Sequence, residues 1–373
     1  MMSKLIKKIG GGLALTMYSL LSHAEYAINF QKPVTETARQ ISGLYTATMW
    51  IILGIAIVVY GAMFWSILKH RKSVGHKAAH FHHNTMVEIV WTTIPFIILI
   101  AMAYPATKAV IEMKDTSSPD MTVKITGYQW KWEYDYQQDG IKFMSVLSTP
   151  RDQLENKAAK GENYLLEVDN PLVVPVGKKV RVLLTANDVI HAWWVPAFGL
   201  KQDAIPGFVR DSWFKADKVG TYRGQCAELC GKDHGYMPIV VEVKEQAEYD
   251  KWVADQKVKV ASASQDEGKV YSLPELVTMG EKVYTATCAP CHQPTGKGLP
   301  PVFPALDGSK MVNGPKLDQI DRVMNGKAGT AMQAFAKQLS DKDMAAVITY
   351  TRNAWGNKTG EAIQSSEIKA LRK

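Results

Sequence analysis

Two long apolar segments in the first third of the chain constrain its fold more than any other feature. Residues 43–68 contain no charged residue, and residues 89–110 contain only Lys108, near their end. Each is long enough to cross a bilayer as a helix, which takes about 20 apolar residues. Pro95 and Pro105 would break a soluble helix but are tolerated in membrane helices. The two segments therefore predict a two-helix transmembrane hairpin.

The charge distribution predicts how this hairpin is oriented. The 373-residue chain has a net charge of +8, and seven of these charges lie in residues 1–24 and 69–87, which contain no acid. Because cytoplasmic loops of membrane proteins are enriched in Lys and Arg, the loop between the helices is expected inside. Everything after about Val110 is then expected outside, in the periplasm of a two-pass bacterial inner-membrane protein. No stripe of basic and aromatic residues occurs elsewhere, which argues against nucleic acid as a partner.

The N-terminal segment and the basic loop have further local patterns. Residues 1–24 have a basic start, an apolar stretch and a small-residue cleavage site at Ser22-His23-Ala24, as in a secretory signal peptide. An uncleaved anchor is the alternative. The basic loop contains five histidines, whose spacing fits no rigid ligand set, so we interpret it as a solvated loop. They are His70, His76, His80, His82 and His83.

The chain after the hairpin predicts two further domains. Short runs rich in β-branched and aromatic residues, separated by Gly, Pro, Asn and Asp, predict the strands of a β-sandwich. These runs are Thr122–Tyr136, Tyr164–Val168, Val180–Thr185 and Pro238–Val243. Glu245–Val260 is predicted to be helical and residues 261–269 to be a linker. The predicted multidomain fold is thus a hairpin over 25–116, a sandwich over 117–250, a helix and linker over 251–274, and a small all-α domain over 275–373.

One loop of the predicted sandwich is unusually rich in metal ligands. Cys226, Cys230, His234 and Met237 fall within twelve residues. Soft sulfur ligands with imidazole are typical of copper electron-transfer sites. One cysteine suffices for a single copper, so two thiols on one short loop indicate a pair of copper ions bridged by both sulfurs.

A dinuclear centre needs a second imidazole, and the outer region offers His191. His191 and His234 are then the terminal ligands, Met237 a weak axial ligand, and the carbonyl of Glu228 the second axial group. A zinc site is the alternative metal, although zinc prefers four strong ligands and leaves Met237 unexplained. A disulfide is the structural alternative for the two cysteines.

A second redox motif follows in the C-terminal region. Cys288-Ala-Pro-Cys291-His292 has the spacing of a covalent c-type haem site, in which both thiols bind the haem and the histidine ligates iron. Gly280, Tyr284 and Cys288 recur every fourth residue, which predicts one face of a helix leading into the motif. Here too a disulfide is the structural alternative.

The motifs from residue 35 to 255 resemble subunit II of haem–copper cytochrome c oxidase. The segment from His191 through Asp203-Ala-Ile-Pro-Gly207 to Met237 carries the resemblance, together with the aromatic run 127–136. It implies a cupredoxin domain that binds the dinuclear copper centre called CuA. It also implies partner subunits I and III, and cytochrome c or another electron donor.

The same resemblance implies three further roles. The Glu228 carboxylate would bind a Mg ion at the interface with subunit I, as suits a hard cation. Trp130 matches the residue that receives electrons. Glu88 matches a glutamate at the cytoplasmic mouth of a proton pathway, although a lone acid at a helix end can also be only an interfacial charge.

Residues 275–356 resemble a class I cytochrome c. The resemblance implies that Pro304 orients His292 through its carbonyl and that a methionine is the sixth iron ligand, which raises the reduction potential. Met332, in a loop before the last predicted helix, matches that position, although Gln333 replaces the usual proline after it. Met344 is expected in the core, and Ser340 is expected to cap the helix that contains it. The other methionines considered are Met311 and Met324.

Together these features predict an electron-transfer subunit of a respiratory terminal oxidase. Electrons would pass from a donor through haem c and CuA to subunit I, where oxygen is reduced to water with proton translocation. Neither predicted membrane helix contains a histidine, so oxygen chemistry is not expected in this chain. The alternative is a membrane-anchored haem and copper carrier outside an oxidase. A different CuA enzyme, nitrous oxide reductase, is disfavoured because too few histidines remain.

Overall fold

A computed structural model of the chain describes residues 29–75, 77, 82–265 and 268–372. Two long helices, α1 (Glu36–Lys69) and α2 (Thr85–Met113), form the hairpin. Both are long and apolar enough to cross a membrane, and no part of their most apolar stretches is buried within the protein. The signal peptide predicted for residues 1–24, and His76 and His80, lie outside the described residues.

Both helices extend beyond the apolar segments from which they were predicted. Thr35 caps α1 by accepting a hydrogen bond from the Ala38 amide at 3.0 Å, and the Asn84 side chain caps α2. The extra turns contact the sandwich, because the Thr35 hydroxyl also donates to the carbonyl of Phe198 at 2.8 Å. The hairpin and the sandwich therefore meet through polar contacts at the ends of the helices.

The sandwich consists of two five-stranded sheets. One sheet has the order β3-β2-β1-β5-β8 and the other β4-β10-β9-β6-β7, with parallel pairs only at β1–β5 and β4–β10. The strands are β1 (Met121–Tyr128), β2 (Lys131–Tyr136), β3 (Ile141–Ser145), β4 (Leu172–Pro175), β5 (Val180–Ala186), β6 (His191–Val195), β7 (Leu200–Ala204), β8 (Arg210–Phe214), β9 (Gly220–Cys226) and β10 (Pro238–Lys244).

Alternating side chains of the two sheets form the core. In β5, Val180, Val182 and Leu184 are fully buried while the residues between them are not. The buried Tyr136 joins the sheets, since its hydroxyl donates to the Val173 carbonyl at 2.8 Å and accepts from the Val173 amide at 2.9 Å. A buried tyrosine needs such partners for its hydroxyl.

Two sequence predictions in this region were wrong. Tyr164–Val168 is not a strand: Leu165 has a φ of 64°, which belongs to turns, and only Val168 forms an isolated bridge, with Leu147. The predicted linker begins as helix, because α4 (Gln246–Gln265) continues through its first five residues. A short helix α3 (Arg151–Leu154) lies between β3 and β4.

The C-terminal domain is helical and forms a separate core. Its helices are α5 (Leu273–Val283), α6 (Ala289–His292), α7 (Lys310–Asn313), α8 (Lys316–Asn325), α9 (Asp341–Asn353) and α10 (Ser365–Leu371). Helices α5 and α9 cross at Gly280, where an added Cβ would lie 2.0 Å from the Ala346 carbonyl oxygen. Ser340 caps α9 as predicted, and Met344 is fully buried in the core.

The helix that leads into the haem motif is not continuous. Residues Tyr284–Cys288 form a π-helical turn between α5 and α6. A π turn inserts an extra residue and is often found at functional sites. The four-residue spacing of Gly280, Tyr284 and Cys288 correctly predicted a helical segment here, but it could not reveal the wider π turn.

Candidate metal and haem sites

Sulfur and imidazole groups converge at one end of the sandwich. The Sγ atoms of Cys226 and Cys230 lie 3.8 Å apart. Nδ1 of His191 lies 3.9 Å from the sulfur of Cys226, and Nδ1 of His234 lies 3.5 Å from the sulfur of Cys230. Each imidazole thus accompanies a different sulfur. The ligand atoms of His191, Cys226 and Cys230 all lie within 4.8 Å of one another, a set that does not include His234.

Strand ends bring these distant residues together. His191 begins β6 and Cys226 ends β9, and the two strands pair with Trp193 opposite Cys226. Met237 is buried directly before β10, and its carbonyl accepts from the Cys226 amide at 3.0 Å. The sheet therefore fixes His191, Cys226 and Met237, while Cys230 and His234 lie in the loop between β9 and β10.

The His191 ring is held from several sides. Its Nε2 lies 2.9 Å from Oδ1 of Asp188, which leaves Nδ1 for the sulfur side. Trp132 packs edge-on against the ring, with 5.9 Å between centroids. Gly127 leaves space for it, since a Cβ there would lie 2.7 Å from His191 Cδ2. This arrangement orients the imidazole before any metal arrives.

The charges of the site favour a thiolate. Hydrogen bonds with Cys230 and then His191 hold the pKa of Cys226 well below its ordinary value, while the hydrogen bond with Cys226 raises the pKa of Cys230. Burial alone would lower the pKa of His191, but the hydrogen bond to Asp188 and the contact with Cys226 raise it. One thiol is thus ready to bind a metal, and a metal ion would displace the proton of the other.

The backbone between the two cysteines faces the sulfur pair. The carbonyl oxygen of Glu228 lies 3.4 Å from the sulfur of Cys226, while its side chain is exposed. On the other side, Gln129 Nε2 and Trp130 Nε1 both donate to the carbonyl of Cys230, at 2.9 and 3.1 Å. Trp130 therefore contacts the backbone of a cysteine in the cluster directly.

The haem motif lies on α6 and the π turn before it. Cys288, Cys291 and His292 are half-buried. Nδ1 of His292 lies 2.9 Å from the carbonyl oxygen of Pro304, so Nε2 is the nitrogen that remains for iron. Burial lowers the pKa of His292, only partly opposed by the Pro304 carbonyl, which keeps the ring neutral as ligation requires.

The methionines of this domain differ in their surroundings. Met332 lies in the extended segment before α9 and packs, half-buried, against the core of the domain. Met324 and Met344 are buried in helices, and Met311 is 39% exposed. Glu88, in the first turn of α2, accepts from the Asn84 amide at 3.3 Å, which is a capping contact.

Two residues near the sulfur cluster were missed by sequence reasoning. The carboxylate of Asp188 accepts from the Gln129 amide at 2.7 Å as well as facing His191. Gln129 in turn reaches the Cys230 carbonyl. Asp188 lies three residues before His191, so a search for carboxylates near a predicted histidine ligand would have found it. Gln129 has no comparable local signal.

The fold and the sites define a class: a membrane-anchored redox protein with a cupredoxin-like sandwich and a c-type cytochrome domain. Residues 23–109 and 121–244 match the family profiles described as the transmembrane and the periplasmic domain of cytochrome c oxidase subunit II. Residues 275–350 match the profile described as cytochrome c oxidase, cbb3-type, subunit III. The chain belongs to the cytochrome c oxidase subunit II family, with a fused cytochrome c domain.

Several named relatives cover the hairpin and the sandwich. The chain is 37% identical over 238 residues to a probable cytochrome c oxidase subunit 2 of Rickettsia bellii, covering 64% of this chain and 86% of that one. Cytochrome c oxidase subunit 2 of Cereibacter sphaeroides is 37% identical, over 60% of this chain and 78% of its own. The crystal structure of the periplasmic domain of oxidase subunit II from Bradyrhizobium japonicum is 47% identical, covers 38% of this chain and 96% of its own, and has a TM-score of 0.34.

Family membership establishes the general function. The chain is part of a haem–copper oxidase complex, in which it serves electron transfer together with other oxidase subunits. Family membership implies copper and haem as cofactors. It also decides against the alternative interpretation of the sequence, an electron carrier outside an oxidase.

Proposed function

We propose that the sandwich binds a dinuclear CuA centre. The observation that carries this proposal is the pairing of each imidazole with a different sulfur, His191 with Cys226 and His234 with Cys230. A single zinc ion needs four strong ligands around one point, and His234 lies outside the compact set. Met237 and the carbonyl of Glu228 would complete the two coordination spheres as weak ligands.

The helical domain would hold one covalent haem c. Cys288 and Cys291 would form the thioether bonds, and His292 would ligate iron through Nε2 because Pro304 engages Nδ1. Met332 is the proposed sixth ligand, since it lies in a loop segment beside the core rather than within a helix. The two disulfide alternatives are disfavoured, because all four cysteines are unpaired.

When bound, these groups would supply one-electron redox chemistry. Electrons would come from cytochrome c or another donor and would be delivered to subunit I, which would reduce oxygen to water and translocate protons. The residues of this chain would position the cofactors between the donor and subunit I. The two helices would anchor it in the bacterial inner membrane beside subunits I and III, with the sandwich and the helical domain on the periplasmic side. Trp130, which donates a hydrogen bond to the Cys230 carbonyl, would be the residue through which electrons reach the copper ligands.

Two carboxylates would serve the partner subunit. Glu228 is exposed while its carbonyl faces the sulfur pair, so its side chain can reach a Mg ion at the interface with subunit I. Glu88 would lie at the cytoplasmic mouth of a proton pathway. Its capping contact with Asn84 gives it a structural role as well.

Metal and haem counting on the purified oxidase tests the cofactors. We expect Cys226→Ser to lower the copper content of the complex by two ions per copy of this chain and to keep the covalent haem. Substituting both Cys288 and Cys291 by Ser should do the reverse. A loss of one copper, or of zinc instead, would exclude the dinuclear assignment.

Glu88→Gln tests the proton role, because glutamine keeps the hydrogen-bond acceptor for the Asn84 amide but carries no titratable proton. We expect lower turnover and proton translocation with unchanged assembly of the complex. Glu88→Ala, which removes both, controls for the cap. Unchanged turnover and translocation in both variants would exclude Glu88 from the pathway.

A further inference from the structure

Two side chains on the outer face of strand β2 are buried, although an outer face of a free sandwich would be exposed to solvent. In β2, Trp132 and Tyr134 point into the core, so Lys131 and Glu133 point the other way, toward solvent in a free sandwich. They are only 5% and 4% exposed. The ammonium group of Lys131 lies 5.7 Å from the centroid of the Phe335 ring, which belongs to the helical domain. The loop that contains Met332 therefore lies over this end of the sheet.

A hydrogen bond joins the same loop to the peptide before Trp130. Nε2 of Gln333 donates to the carbonyl of Gln129 at 3.4 Å. Gln338 holds the Gln333 amide in place by donating to its Oε1 at 2.8 Å. Gln129 also donates to the Cys230 carbonyl. Gln333, next to the proposed iron ligand, thus contacts a residue that contacts the proposed copper site.

The haem-attachment segment lies on the same side. Ala289 and Pro290, within the Cys288–His292 motif, line the same cavity as Trp130 and Lys232 of the sandwich. The motif therefore faces the part of the sandwich that carries the proposed copper loop.

The two domains enclose a cavity between them. Its volume is about 760 Å³, with Trp130 and Lys232 on one side and Lys282 and Pro290 on the other. Inter-domain surfaces that are small and wet allow relative motion unless specific contacts prevent it. The position of the helical domain on the sandwich must then depend strongly on the contacts that Gln333 and Phe335 make with it.

We propose that Gln333 is a positioning residue that docks the cytochrome domain onto the Gln129–Trp130 peptide of the sandwich. It keeps the haem-attachment segment beside Trp130, so that the chain's own cytochrome domain, not an external protein, occupies this face. The inference rests on the proposed function for its purpose, but the docking contact itself does not require either cofactor.

Amine labelling of the assembled oxidase tests the contact without reference to activity. Lys131 is 5% exposed in the docked protein and lies on the outer face of β2, so undocking should uncover it, whereas Lys201 is already exposed. A succinimidyl ester should label Lys131 slowly in the wild type relative to Lys201, as read by peptide mass spectrometry. Gln333→Glu keeps the side-chain shape but cannot donate to the Gln129 carbonyl. It should raise the Lys131 to Lys201 labelling ratio about five-fold, the shift expected from loss of one hydrogen bond.

Two controls separate positioning from general damage. Gln137→Glu makes the same chemical change at an exposed site on the sandwich and should leave the labelling ratio unchanged. The haem and copper spectra of Gln333→Glu should match the wild type, while the internal rate of copper reduction by the haem falls. A labelling ratio equal to wild type in Gln333→Glu, or rapid labelling of Lys131 in the wild type, would overturn the proposal. A protected Lys131 in a protein that lacks copper or haem would instead refute the proposed function and leave the contact standing.

Discussion

The two proposed cofactor sites are built in opposite ways. In the sandwich, paired strands bring Nδ1 of His191 within 3.9 Å of the sulfur of Cys226, although the two residues are far apart in the chain, and Asp188 and Gly127 position the His191 ring. In the helical domain, Cys288, Cys291 and His292 come from one short segment, are half-buried, and lie on a π turn and a four-residue helix.

The two cores also differ in size and in their relation to the proposed cofactors. The sandwich has a large core built mostly from strand side chains, and Cys226, Cys230 and Met237 are only a small part of it. The helical domain has a smaller core, against which Cys288 and Met332, which would line the haem, pack. A ligand that binds only the folded state stabilises it by mass action. Haem should therefore matter to the folding of its domain, while copper should matter little to the sandwich.

The double substitution of Cys288 and Cys291 by Ser gives the sharpest test of this contrast. We expect loss of covalent haem and destabilisation of the helical domain by about 4 kcal/mol, as for a ligand held at about a thousand times its dissociation constant. Calorimetry of the full chain should show the sandwich transition unchanged. Cys226→Ser is the matched control, and it should lose copper with little change in either transition. Equal destabilisation by both changes would remove the contrast.

Two glycine-to-alanine substitutions compare how tightly the two domains are packed around a glycine. Gly280→Ala places a Cβ against the backbone of α9, which cannot move aside, and should cost about 3 kcal/mol. In Gly127→Ala the nearest atoms to the new Cβ belong to the His191 side chain, so we expect a smaller loss of stability but a marked loss of copper. Thermal unfolding and metal content measure both. Gly54→Ala, whose Cβ meets nothing within 4 Å, is the neutral control.

Asp188→Ala tests how far the sandwich site is preorganised. It removes the acceptor for both His191 and Gln129. Loss of such a supporting hydrogen bond lowers metal affinity about 10- to 100-fold. Competition with a copper chelator measures the copper affinity. The affinity of Asp188→Asn should fall between those of the wild type and Asp188→Ala. An unchanged affinity would show that the strands alone orient the imidazole.

The smallest effect concerns pH at the domain contact. Burial lowers the pKa of Lys131 to about 8 despite the opposing charges of Asp188 and Glu133. Below pH 8 the docked protein must bury a charge, and this penalty is relieved as pH rises from 8 toward 10.5, the ordinary pKa of lysine. Relative to Lys131→Met, the wild type should gain about 2 kcal/mol between pH 7.5 and 9.5, measured by thermal unfolding. A constant difference would contradict the buried charge.

Local signals explain what the sequence could predict. The length of the apolar runs, the apolar and β-branched composition of Val180–Thr185 and the CxxCH spacing each depend on neighbours along the chain, and the corresponding elements are present. The false strand at Tyr164–Val168 had suitable composition, but the left-handed backbone at Leu165 depends on its surroundings. The proximity of Gln129 to Cys230 depends on how the β1–β2 turn meets the β9–β10 loop, which no local pattern reveals.

The helix α4 has a consequence for how strong the domain contact needs to be. It packs on the sandwich through Tyr249 and Val253 and is fixed further along by an ion pair between Lys257 and Asp139 at 3.0 Å. As a helix it forms a stiff arm of about 30 Å on the sandwich side of the connection. Two modules joined by a short linker reach an effective concentration on the order of a millimolar even when that linker is flexible. An interface too weak to hold two separate proteins together in dilute solution is then strong enough within one chain.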